Sequence, residues 1–286
     1  MIYLEKTDVA ATLTTWIYCA FWQMWAAEQQ GKDVYINWPD GHTPPRALLP
    51  YHDSDKFAQM PNMFEWYFTQ PKIKEAQQAT ETWTWENWQD SSPVPFMAQP
   101  LDVIKAYYKK HLHFNDVVNQ RGQQIVEKYN IDFYKTIGIT WRGTDNVTDG
   151  RPRMPIEKYF KYIDLALEAT PDARIMCTAE EETILQPLLD RYPQAFNIDE
   201  FHSSPLGSLH NPERHISLSG FERGMQPALM VWLFSKCFWY IKNTSSTGAV
   251  ASWLSEGIIV NLGHPENLGY EKMDDQVEIA GKRYPL

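Results

Sequence analysis

The stretch from Thr136 to Asp145 constrains the fold more than any other part of the chain. Ile137, Ile139 and Trp141 alternate with Gly138 and Thr140, the pattern of a strand buried in a sheet. A polar turn follows at once, Arg142-Gly143-Thr144-Asp145-Asn146, then a run bearing Gly and Pro as far as Pro155, and a helical pattern from Ile156. Strand, polar loop, helix is the unit of open α/β sheets, and such sheets bind ligands at the carboxyl ends of their strands. Arg142 stands at that end, and its planar, permanently charged fork suits a phosphate. The same residues also fit a plainer role, in which Arg142 and Asp145 pair to stiffen a turn.

The alternation continues to the end of the chain. The periodicity predicts helices over 155–169, 180–192, 225–236 and 248–256, with strands over 174–178, 195–198, 238–241 and 258–262. A polar loop rich in Ser, His and Pro is expected over 201–220. Upstream, a strand over 1–4, a helix capped by Thr7 or Asp8 and stopped at Gly31, and a strand over 34–38 form a β-α-β opening. Between 41 and 100, prolines divide short aromatic segments such as Phe64-Glu65-Trp66-Tyr67-Phe68, so irregular structure with short elements is expected. Two helices follow within 101–129. The first turns Val103, Ile104, Tyr107 and Tyr108 to one side, and the second, capped by Asn115 or Asp116, turns Val117, Val118, Ile125 and Val126 inward. These elements predict an α/β chain of two Rossmann-like halves facing across a cleft, residues 1–135 and 136–286, the tail beyond 262 packing back or lying outside.

Charge excludes one class of function. The formal net charge of −10 is unsuited to a nucleic-acid backbone, although a local arginine pocket for one nucleotide is compatible with it. Twelve Trp and fifteen Tyr supply rings that could stack on sugar faces, or simply pack the core and its rim. Cys19, Cys177 and Cys237 are far apart and lack metal-ligand spacing, which predicts buried reduced thiols in a cytoplasmic protein. Residues 10–27 are largely apolar, but interrupted by Thr12, Thr14, Thr15 and Gln23 and flanked by Asp8 and Glu28. They predict a buried helix, with neither a membrane span nor a targeting leader.

Three stretches in order carry a family resemblance. Gly138-Ile139-Thr140-Trp141-Arg142-Gly143-Thr144-Asp145-Asn146 resembles the His-x-Arg-Arg/Gly-Thr-Asp-Lys motif of fucosyltransferases of the nodulation-factor and core α1,6 kind. Gln30-Gly31-Lys32-Asp33-Val34-Tyr35-Ile36-Asn37-Trp38 resembles their second strand, and Phe234 to Ser246 their later strand and Ser-Ser phosphate loop. These enzymes belong to the wider GT-B superfamily that includes the protein O-fucosyltransferases. The resemblance covers most of the chain and is dense over 136–256.

The resemblance implies an inverting, metal-independent glycosyltransferase that uses GDP-fucose as co-substrate and no cofactor, acting on a carbohydrate or other hydroxyl acceptor. Its donor site would comprise Arg142, Thr144, Thr178, Glu180, His210, Ser245, Ser246 and Thr247. Arg142 would contact the donor phosphates and the loop over 243–248 would cradle them. Thr178 or Glu180 would reach the ribose, although Thr178 equally fits a helix cap. His210 lies in a loop context found in bacterial relatives and equally reads as a solvated loop histidine. An inverting enzyme needs a carboxylate to deprotonate its acceptor, for which Asp149 is the candidate and Asp145 the fallback; either also reads as a turn carboxylate. Two positions depart from the family pattern: Thr140 stands where relatives have His, and Met230 where they have Asp, both associated with guanine. A second expectation therefore remains open, a non-catalytic nucleotide- or carbohydrate-binding descendant of the fold.

Overall fold

The computed structural model describes residues 2–4, 13–38, 53–70, 81–84, 95–141, 154–179, 182–201, 218–262, 276–279 and 282–285. The chain divides into two compact units, Met1–Gln120 with Ser217–Leu229, and Arg121–Ile216 with Met230–Leu286.

In the first unit, strand β1 (Ile2–Leu4) pairs in parallel with β2 (Val34–Ile36) on one side and β4 (Glu81–Trp83) on the other. Helix α1 (Leu13–Gln29) connects β1 to β2 and is buried on most of its surface, as its apolar sequence requires. Its end is set by Gly31 at φ +68, with Lys32 N–H donating to Ala27 O and Gly31 N–H to Glu28 O. That left-handed cap is cheap only for a residue without Cβ. Among the described residues, no helix is long and apolar enough to cross a membrane.

The aromatic, proline-cut region resolves into short pieces. Helix α2 (Ser54–Gln59) is capped by Asp53, and a single tight turn (Met63–Trp66) follows Asn62. Asn62 is buried because its amide accepts from Trp38 N–H and Phe64 N–H and donates to Ile36 O. Strand β3 (Phe68–Thr69) pairs antiparallel with β5 (His113–Phe114). Helix α3 (Leu101–His111) buries Ile104, Tyr107 and Tyr108, and Tyr108 stacks on Phe21 at 4.6 Å. Helix α4 (Asp116–Tyr129) starts at Asn115, whose side chain accepts from Val118 N–H. One expectation fails here. Val117 is 38% exposed, because the inward stripe runs through Val118, Gly122 and Ile125, one position round the helix.

The second unit holds the five-stranded sheet. Strands β6 (Thr136–Trp141), β7 (Arg174–Ala179), β8 (Ala195–Asn197), β9 (Trp239–Lys242) and β10 (Ile258–Asn261) are all parallel, in the order β10-β9-β6-β7-β8. Between them lie helices α5 (Ile156–Ala169), α6 (Glu182–Arg191), α7 (Gly220–Phe234) and α8 (Ser246–Leu254). All six residues of β6 are buried, as befits a central parallel strand covered on both faces. One face packs Ile137, Ile139 and Trp141 with Tyr159 and Ile163. On the other, Gly138 leaves no room for a side chain, since a Cβ would lie 2.7 Å from Phe234 and 2.9 Å from the Cys237 sulfur. Trp16, Trp38, Trp66, Trp239 and Trp253 are fully buried, so these rings pack cores and do not present themselves to sugars.

Helix α7 begins at Gly220, five residues before the expected start, because Ser219 accepts from Glu222 N–H at 3.2 Å. The Ser-x-x-Glu signature of a helix start lies there, and Pro227 inside the helix masked it. Beyond β10, a hairpin of β11 (Gln276–Ile279) and β12 (Lys282–Pro285) was not anticipated.

Candidate functional site

The strand order places a reversal in the second sheet. From β6 the chain moves outward through β7 and β8, then crosses back to add β9 and β10 on the other side of β6. The carboxyl ends of β6 and β9 therefore flank the switch point, where open α/β sheets bind their ligands. Asn243-Thr244-Ser245 follows the end of β9.

Buried polar side chains gather at this edge. Thr140, Thr178, Lys242, Asn243, Thr244 and Asn261 are each less than a tenth exposed, and all stand at or beside the carboxyl ends of β6, β7, β9 and β10. In register, Thr140 lies between Thr178 and Lys242. Polar groups removed from water are costly unless bonded, so such a concentration calls for partners within the protein or in a ligand.

Part of that demand is met by a hydroxyl network. Thr140 Oγ1 shares a hydrogen bond with Tyr240 OH at 2.9 Å. Tyr159, arriving from α5, donates to the Thr140 carbonyl at 3.0 Å and takes a backbone hydrogen bond from Asn243. Its ring stacks on Trp141, centroids 5.1 Å apart. Complete burial, with Tyr240 close by, holds the Tyr159 hydroxyl protonated well beyond the usual phenol range.

At the start of α8, Ser245 adopts an extended backbone and its Oγ accepts from Gly248 N–H at 2.9 Å. Ser246 and Thr247 are the first two helical residues and are half-buried. Helix α8 thus begins four residues beyond β9, and its N-terminal amides lie at the carboxyl end of that strand.

Of the residues singled out from sequence, the structure places Ser245, Ser246 and Thr247 together at this helix start. Thr178 stands apart from them, on the far side of β6, as the penultimate residue of β7. It lies four positions before α6, so it is not that helix's cap. Arg142, Thr144, Asp145, Asp149, Glu180 and His210 lie outside the described residues. The sequence reading missed Tyr159, whose pattern showed only a core position, and Lys242. A lysine closing the apolar run Phe238 to Ile241 was the available signal.

Comparison with known structures places the architecture. The chain superposes on a mutant of Arabidopsis thaliana FUT1 in complex with GDP with a TM-score of 0.53 and 11% identity, covering 93% of this chain and 71% of that one. It matches POFUT1 in complex with GDP at a TM-score of 0.51 and 8% identity, over 91% and 98% of the two chains. NodZ alpha-1,6-fucosyltransferase, soaked with GDP-fucose, matches at 0.50 and 11%, over 90% and 93%. The fold is the GT-B-like α/β fold of fucosyltransferases. At such low identity the likeness concerns architecture, and the expectation of an α/β, GT-B-like chain holds. No protein-family model matches the chain, and no curated protein matches its sequence.

Proposed function

We propose that the chain is an inverting, metal-independent glycosyltransferase that transfers fucose from GDP-fucose to a hydroxyl acceptor. The observation that carries this reading is the polar edge at the switch point between β6 and β9, in a fold shared with structures that hold GDP or GDP-fucose. Arg142, the amides at the start of α8, and Ser245, Ser246 and Thr247 hold the diphosphate. They stabilise negative charge on the leaving oxygen as the glycosidic bond loosens. Thr144, Thr178, Glu180 and His210 complete the donor contacts. Asp149, with Asp145 as the alternative, takes the acceptor proton. The acceptor oxygen then bonds to the anomeric carbon as the phosphate oxygen departs with its electron pair from the opposite face, giving inversion. In this reading residues 136–286 bind the donor and 1–135 serve the acceptor. Cys19, Cys177 and Cys237, buried and outside any disulfide, fit a cytoplasmic setting.

The test is a thermal-shift screen of GDP, UDP, CMP and ADP, followed by GDP release from GDP-fucose with and without EDTA. Stabilisation by GDP, and turnover that survives EDTA and disappears in Arg142→Ala, supports the reading. Absence of stabilisation by any nucleotide refutes it.

One observation favours the second reading, a nucleotide-binding descendant without turnover. The Thr140 hydroxyl is engaged by Tyr240, and α7 carries Met230, so neither of these positions offers guanine the contact associated with the family's His and Asp. Binding of GDP without release from GDP-fucose is the outcome that selects it.

A further inference from the structure

We propose that Arg223 and Gln226, on the first turns of α7, bind an oxyanion, carboxylate or sulfate, carried by the acceptor sugar; this rests on the reading that the first unit serves the acceptor. Although residues 217–229 follow the strands of the second sheet in sequence, they belong to the first unit by packing. Tyr67 OH donates to Phe221 O at 3.0 Å, and the two rings stack with centroids 5.6 Å apart. The Asp53 carboxylate accepts from Phe221 N–H at 3.4 Å. A Cβ on Gly224 would lie 2.2 Å from the Tyr67 hydroxyl, so the helix is pressed closely against this neighbour.

Phe221, Met225 and Ala228 are buried on the packed side of the helix. Arg223 and Gln226, three positions apart, share another side. Arg223 is half-buried, and its Nε is buried with no hydrogen-bond partner. Among the described residues its guanidinium forms no ion pair. Gln226 is only 9% exposed, and among the described residues its amide makes no hydrogen bond. Two polar side chains so far withdrawn from water, on one side of one helix, call for a partner. A charged N–H left without an acceptor is the costlier of the two. Its position also sets the sign of that partner. The start of a helix carries partial positive charge, so an arginine there is placed adversely until an anion joins it. A neutral hydroxyl would satisfy the N–H and leave the charge uncompensated. The guanidinium fork meets a carboxylate or sulfate through two parallel bonds, and the Gln226 amide supplies a further donor.

The experiment is a thermal-shift titration of the full chain with glucuronate, glucose 6-sulfate, glucose and sodium sulfate, with GDP titrated in parallel. The variants are Arg223→Met, which keeps an apolar stem and removes the charge, Arg223→Lys, which keeps the charge and removes the fork, and Gln226→Leu. The two anionic sugars are expected to stabilise the wild type at concentrations where glucose and sodium sulfate do not. Arg223→Met should raise the concentration they require by about tenfold to a hundredfold, the worth of a charged hydrogen bond, with the response to GDP unchanged. Arg223→Lys and Gln226→Leu should move in the same direction, and they decide the matter should Arg223→Met fail to fold. Anionic sugars that stabilise wild type and variants alike place the anion elsewhere and overturn the proposal. A response to sodium sulfate as strong as to the sugars reduces the site to a bare anion and also overturns it. A wild type that answers to GDP and not to the anionic sugars overturns this proposal and leaves the donor reading standing. One that answers to the anionic sugars through Arg223 and not to GDP overturns the donor reading, and with it the assignment of the anion to an acceptor.

Discussion

Tyr159 donates its buried hydroxyl to the Thr140 carbonyl at 3.0 Å, so helix α5 is fastened to strand β6. The same hydroxyl accepts from the Asn243 backbone, which draws in the start of the serine loop. Helix α5, strand β6 and the residue that follows β9 are thus joined at one oxygen. Tyr159→Phe keeps the ring on Trp141 but strands a buried carbonyl and a buried amide. It should cost about 1–3 kcal/mol in urea unfolding, and weaken GDP binding by loosening both loop origins. A variant as stable as wild type would contradict this account.

Ser245 and Ser246 can be separated by measurement. Ser245 caps α8 through Gly248 N–H, so Ser245→Ala should lower stability by about 1 kcal/mol. Ser246 is helical and half-buried, and its alanine variant should stay within about 0.5 kcal/mol of wild type in stability. If both hydroxyls serve the donor, both variants lose GDP affinity in calorimetry. Loss in Ser245→Ala alone would mean that the loop acts as a cap only.

Gly257 is expected to be the least replaceable glycine of the second sheet. A Cβ there would meet the backbone carbonyls of Cys237 and Phe238, the latter at 2.5 Å, where Ile258 N–H bonds to Phe238 O. Backbone atoms cannot swing aside as a flexible side chain can. Gly257→Ala should cost about 3 kcal/mol or more, read from chemical denaturation. A nearly neutral result would show that β9 and β10 can separate at this point.

Burial pushes the Cys177 thiol from 9.0 up to about 12, and raises Cys237 further in the same direction. In the unfolded chain both ionise near their ordinary values. Between pH 9 and about 12 the folded state therefore holds protons that the unfolded state has released, and stability falls as pH rises. Below pH 9 the contribution is complete. Unfolding free energy measured across that window should decline, and at pH 8 the two thiols should resist a disulfide reagent until denaturant is added. Rapid labelling of the native protein would show that the sheet's core opens locally.

Much of the element order was legible because the signals are local. The alternation around Ile137 and Ile139, the stop at Gly31 and the cap at Asn115 each depend on a few neighbouring residues. Where local signals competed, the reading slipped. Pro227 concealed the earlier start of α7 at Ser219, and two adjacent valines in α4 were both assigned inward although only Val118 lies on the buried stripe. Of the site, the serine loop was readable as a polar break between strand and helix. Tyr159 was not, since a tyrosine on an apolar helical face looks the same whether its hydroxyl is satisfied at a functional edge or elsewhere in the core.

By itself the sequence determined which segments become strands and helices, because backbone preference and side-chain period are properties of short stretches. It could not determine that β9 lies beside β6, because strand order depends on which apolar faces cover one another after the whole chain has closed. That adjacency brings Thr140 within 2.9 Å of Tyr240 across a hundred residues of chain. It also sets Lys242 opposite Thr140, turning a lysine at the end of an apolar run into a buried charge beside the start of a helix. Tertiary structure alone gathered these polar groups at one edge, since a charge withdrawn from water acquires its meaning from what is packed around it.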